Sequence, residues 1–187
     1  MKHEVITLSD ADRQIAEVFA DARSIKDSSL YSKRGAFKRD DVLVGALGEL
    51  AVYRFLRAKG IRLKAPDFKI HAIRNKSYSS DLEFKGNFLH VKSQSLSSQE
   101  RYGSSWLMQR KDPLFTKDNK KHFIVPNIVD LENNSVKIYG FFSVEEIIKK
   151  GLVGECSVPY FRDNKVAIYL DSLKEIVSAN RWRLLNG

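Results

Sequence analysis

The order of hydropathy patterns predicts an α/β fold, one domain of 187 residues built around a central mixed sheet flanked by helices. Three observations carry that expectation. Two long segments repeat apolar residues at helical period, short β-type runs follow them, and a helix, a strand and a last helix close the chain. Hydrophobic residues make up 43% of the sequence and aromatic residues 11%, which supplies a core and excludes wholesale disorder. No repeat, low-complexity tract or linker divides the chain, so residues 1–187 read as one domain with its first helix packed on the core.

Each element has a local reason. Ser9 and Asp12 have capping-box spacing, and Ile15, Val18, Phe19 and Ala22 then recur at helical period, predicting a helix over about 10–27. The polar, basic stretch 27–39 reads as a loop. Asp40 and Asp41 suit a helix N-terminus, and the second helix runs to about Lys59, closed by Gly60. From Ile61 to Phe84 the pattern shortens into β-type clusters (IRL, FKIHAI, DLEF). Gly86-Asn87 as a two-residue turn then pairs DLEF with FLHVKSQ, so that Phe84 faces Leu89 and Asp81 faces Lys92. Residues 95–121 read as a long, partly mobile connection containing Trp106 and Met108. FIVPNIVDL and VKIYGFF form two strands joined by Glu132–Ser135. Ser143 and Glu146 cap a short helix ending at Gly151, VAIYL is a strand, and a C-terminal helix begins near Ser172.

Composition narrows the function classes. The chain has 32 Lys and Arg against 23 Asp and Glu, a formal charge of +9. Residues 31–127 alone hold 20 basic and 9 acidic side chains, so the whole excess lies there. A polyanion is expected to dock on that segment. Lys33, Arg34, Lys38 and Arg39 ahead of the second helix are candidate phosphate contacts, as are Arg101, Arg110 and Lys111, where Tyr102, Trp106 and Met108 offer stacking surface. One cysteine, Cys156, makes no internal disulfide, and four scattered histidines carry no zinc or HNH spacing. No apolar run approaches membrane-spanning length and no signal peptide is visible, so a cytoplasmic protein is expected.

Strand alternation converges polar groups. Asp81, Glu83, His90, Lys92 and Gln94 share one face of the expected hairpin, and Leu82, Phe84, Leu89, Val91 and Ser93 the other. On the second helix Glu49 is an acid in an otherwise apolar sector, and Gly45 and Gly48 beside it suggest close approach of a backbone or ligand. Two carboxylates and a lysine have the chemistry for metal-assisted phosphodiester hydrolysis: Glu49 and Asp81 to hold a hard divalent cation, Lys92 to orient water or offset charge, Gln94 to hold the nucleophile or a phosphate oxygen. An ordinary hairpin with a wet face and cross-strand ion pairs fits the same residues.

At these residues the sequence resembles the PD-(D/E)XK nuclease superfamily. The matching parts are Gly45, Gly48 and Glu49 in GALGELAVYRFL, Asp81 in SSDLEF, and His90 to Gln94 in FLHVKSQ. The resemblance implies a restriction-endonuclease-like core and a metal-dependent DNA endonuclease using Mg²⁺ or Mn²⁺. It implies Glu49 and Asp81 as metal-site acids, Lys92 as the catalytic lysine, and the Val91 carbonyl at a position that often ligates metal. His90 stands where the family has its second acid, and Ser80 where a proline is usual. Three readings follow: His90 ligates the metal, Glu83 supplies the missing carboxylate, or the scaffold only binds nucleic acid. The expected partner is double-stranded or branched DNA, with a homodimer needed to cut both strands.

Overall fold

The computed structural model describes residues 1–30, 39–69, 80–115 and 119–176, with side chains 25–30 left out. In chain order these residues form β1 (Glu4–Thr7), α1 (Asp10–Leu30), α2 (Arg39–Ala58), β2 (Leu82–Phe84), β3 (Asn87–Ser95), α3 (Leu96–Tyr102), β4 (Ser105–Gln109), β5 (His122–Asp130), β6 (Ser135–Ile138), β7 (Phe142–Ser143), α4 (Val144–Lys149), β8 (Val153–Glu155), β9 (Lys165–Tyr169) and α5 (Leu170–Leu173). The fold is α/β, with a six-stranded mixed sheet in the order β1-β6-β5-β3-β2, β7 pairing with β5, and a three-stranded sheet β4-β9-β8. β3 and β5 run parallel, and the other pairs are antiparallel.

β5 shows why the main sheet sits at the centre. Its Val125 and Val129 join the cluster that α2 covers, while Ile124 and Ile128 join a second cluster with Trp106, Phe142 and Ile147. Burial on both faces is what a near-continuous apolar run such as FIVPNIV encodes. Pro126 brings no donor, and it falls where the antiparallel neighbour changes from β7, at Phe123 and Ile124, to β6, from Asn127 onward.

The cap of α1 is as expected: Ser9 Oγ donates to Asp12 Oδ2 (2.8 Å) and accepts from the Asp12 N–H (3.2 Å). Its buried stripe is not. Ile15 and Val18 are 47% and 64% exposed, Ala22 is also exposed, and Asp12, Ala16 and Ala20 face inward with partly buried Phe19. Small side chains let α1 lie close on α2, and buried Asp12 joins the helices by accepting from Arg54 Nε (3.0 Å) and Nη2 (2.6 Å). Burial pushes the Asp12 carboxyl up, but the bonds from Arg54 and Ser9 outweigh it and hold the group below its ordinary value.

Other expectations change. Residues 61–63 form no strand, and most of FKIHAI lies outside the described residues. The stretch 95–121 is largely ordered: Ser95 caps α3 through the Ser98 N–H (3.2 Å), and β4 pairs with β9. Trp106 and Met108 are buried, and the Trp106 indole donates to the Asn127 carbonyl (2.9 Å), so neither residue offers a face to bases. β1 and β8 are additional strands. α5 starts at Leu170 and spans four residues; residues 177–187 of the expected C-terminal helix lie outside the described residues.

Candidate functional site

The hairpin turns at Lys85-Gly86 (φ 46° and 71°), not at Gly86-Asn87, and pairs Leu82 with Leu89, Glu83 with Phe88 and Phe84 with Asn87. Two successive positive φ values are the signature of a type I′ turn, whose twist suits a two-residue hairpin. The register is therefore two residues from the expected one. Asp81 lies in a bend just before β2, so alternation along the ribbon does not set its side; its nearness to Lys92 is electrostatic, the ammonium lowering the Asp81 carboxyl against burial. Glu83 is exposed opposite Phe88, away from the role of substitute carboxylate across from His90.

Asp81 sits at a bulge-like step ahead of β2, opposite the same Leu89 that pairs with Leu82. Its N–H donates to the Leu89 carbonyl (3.0 Å), and its Oδ2 accepts the Val91 N–H (2.7 Å). A strand residue sends its N–H and C=O to the same edge, so the Val91 carbonyl is directed to the side where Asp81 lies. The carboxylate is thus fixed beside a backbone oxygen by the chain's own hydrogen bonding.

Glu49 reaches this place from α2. Gly48 explains how the helix comes so near: a Cβ there would lie 1.9 Å from Ser93 Oγ and 2.8 Å from Asn127 Oδ1. Gly45 has no such reason, since a Cβ at that position meets nothing within 4 Å. Burial pushes the Glu49 carboxyl up to about 8, the Asp81 charge adds to this, and the Lys92 ammonium opposes it. Burial likewise pushes Asp81 up, against Lys92 and the N–H groups of Val91 and Asp81. Glu49, Asp81 and Lys92 therefore form one electrostatic unit.

His90 takes a different course. Its Nε2 lies 2.8 Å from His122 Nδ1, the two rings stack at 17°, and Phe88 stacks on His122. Burial lowers His90 to about 4, with Lys92 and His122 adding and Asp112 opposing. The imidazole is neutral at pH 7, and one of its nitrogens is engaged by His122 rather than turned to a cation. Gln94 is engaged at both ends: Nε2 donates to the Gly103 carbonyl (2.9 Å) and Oε1 accepts the Ser105 N–H (3.2 Å). It braces the α3–β4 connection.

Of the basic candidates, Lys33, Arg34 and Lys38 lie outside the described residues. Arg39 is ion-paired with Asp21 of α1. Arg101 covers its neighbour's ring in Tyr102 (5.2 Å), Arg110 Nη2 donates to the Arg162 carbonyl (2.6 Å), and Lys111 is exposed. The sequence reading missed His122 because only the parallel pairing of β3 with β5 brings it to His90.

Oxygen donors suit a hard cation. Glu49, Asp81 and the Val91 carbonyl could offer oxygen atoms to Mg²⁺ or Mn²⁺. Among the described residues no three His, Cys, Asp or Glu side chains gather as a metal-binding group. No helix of the described residues is long and apolar enough to cross a membrane. No family model, curated protein or solved structure matches the chain.

Proposed function

We propose that the protein is a divalent-metal-dependent DNA endonuclease, built on a restriction-endonuclease-like scaffold and acting in the cytoplasm. The observation that carries this reading is the electrostatic grouping of Glu49, Asp81 and Lys92. Of the two half-buried carboxylates, Asp81 raises the proton affinity of Glu49, and Lys92 lowers that of both, an arrangement suited to sharing a cation beside an anionic substrate. Glu49, Asp81 and the Val91 carbonyl would hold Mg²⁺ or Mn²⁺, which supplies an acidified water and offsets negative charge on the phosphoryl group.

The chain's own residues do the rest. The Val91 N–H holds the Asp81 carboxylate in one orientation. Lys92 places a positive charge where a phosphate oxygen or attacking water would sit. The excess of basic over acidic side chains in residues 31–127 draws the polyanion in. A monomer nicks, and a homodimer would be required to break both strands.

The test is cleavage of supercoiled plasmid with Mg²⁺ and with Mn²⁺. Lys92→Ala and Asp81→Ala are each expected to lower the rate by about 10²-fold or more, with DNA affinity retained. A second reading, a nucleic-acid-binding protein without catalysis, is favoured by one arrangement: His90 faces His122 and Glu83 faces solvent, leaving two carboxylates rather than three. Binding without cutting under every metal selects that reading.

A further inference from the structure

The loop between β8 and β9 is braced to an unusual degree for an exposed segment. Tyr169 Oη donates to the Glu155 carbonyl (2.7 Å) and accepts the Ser157 N–H (2.9 Å) at its base. Arg162 Nε donates to the Cys156 carbonyl (3.2 Å), and within the turn Phe161 N–H donates to Val158 and Arg162 N–H to Pro159. From the end of β4, the Arg110 N–H donates to the Asn164 carbonyl and its guanidinium to the Arg162 carbonyl. These bonds fix Pro159–Phe161 as a 3₁₀ turn that buries none of its own residues.

At its tip Tyr160 is 87% exposed and Phe161 37%, their rings edge to face at 5.3 Å. An aromatic ring held rigidly in water contributes nothing to the core, and binding surfaces are where such pre-organised rings are useful. Arg110, Lys111 and Arg162 are all exposed beside it, together with the acids Asp163 and Glu155, while Asp112 accepts the Leu114 N–H.

β4 links the turn to the strand that carries Lys92. β4 begins at Ser105, bonded to Gln94 two residues beyond Lys92, and its end leads into Arg110–Asp112, where the Asp112 charge acts on His90.

We propose that the Pro159–Phe161 turn is a base-stacking platform, Tyr160 packing on a nucleobase outside the duplex stack while Arg110, Lys111 and Arg162 hold the adjoining phosphates. Continuous duplex offers no free base face, so the preferred DNA carries an unpaired stretch: an overhang, flap or junction. The proposal rests on the nuclease reading above and specifies its substrate.

The test compares binding of the full chain, without divalent cation, to a blunt duplex and to the same duplex with an overhang of about five nucleotides carrying 2-aminopurine. The expected result is tighter binding of the overhang by about five-fold or more, with the 2-aminopurine emission quenched. Tyr160→Ala should remove both the preference and the quenching while blunt-duplex affinity stays unchanged, and Tyr160→Phe should keep them. Equal affinity for the two DNAs, or a preference that survives Tyr160→Ala, overturns the platform and leaves the nuclease reading standing. A change in sedimentation of Tyr160→Ala without a change in DNA binding also overturns it, in favour of contact with another protein. Failure of the wild type to bind any DNA at low salt removes both proposals.

Discussion

Gly48 cannot carry a side chain where it stands, because Ser93 and Asn127 occupy the space. Gly48→Ala is expected to lower stability by about 1–3 kcal/mol through overpacking. Gly45→Ala, three residues earlier with open space around it, should instead stabilise α2 by up to about 1 kcal/mol. Urea denaturation of both variants decides this, and equal effects would refute the asymmetry. Glu49 gives the pH dependence. Its pKa is raised from 4.5 to about 8 in the folded protein, so the stability it confers is present below pH 4.5 and is lost as pH rises through about 8. Glu49→Gln cannot ionise, and should exceed the wild type by roughly 1–3 kcal/mol near pH 9 while showing little advantage near pH 4. A gap that does not widen with pH would show that the carboxylate is not held in a desolvated place.

At the scale of elements, the hairpin shows what a sequence pattern can and cannot settle. Alternation put Asp81 and Lys92 on one side, but Asp81 falls in a bend before β2 where alternation no longer sets the face, and the link between the two is electrostatic. The register did not survive, since Lys85-Gly86 as a type I′ turn and Gly86-Asn87 as a type II′ turn both suit a two-residue hairpin, and the structure takes the first. A lysine at φ 46° is a poor occupant, so Lys85→Asn should stabilise the hairpin by about 0.5–1 kcal/mol, and Gly86→Val should destabilise it by more. Thermal melts of the two variants moving in the same direction would contradict the turn type. α1 misled for another reason: Ile15 and Val18 look like core residues, but close helix packing selected Ala16 and Ala20. Helix α2 and the residues of the candidate site were legible locally. β1 and His122 were not, because their partners lie far away in the chain, and β8 was not because its three residues are too few to show a strand pattern.

For the molecule as a whole, two interactions should be measurable apart from catalysis. Electrostatic docking predicts that log affinity for DNA falls linearly with log salt, by about 0.9 per phosphate contacted; a flat line would remove the polyanion reading. Cation binding predicts stabilisation of about 2.7 kcal/mol at a metal concentration 100 times the dissociation constant. Glu49→Gln or Asp81→Asn should abolish that gain in a thermal melt, and a gain retained by both variants would place the cation elsewhere.

The parallel pairing of β3 with β5 spans the α3 and β4 segments between them. During synthesis, therefore, Glu49, Asp81 and Lys92 are all made before the strand that gives β3 its inner neighbour. The nascent chain lacks the wall beside β3 until Asp130 has emerged from the ribosome, so the candidate site takes its final shape only then.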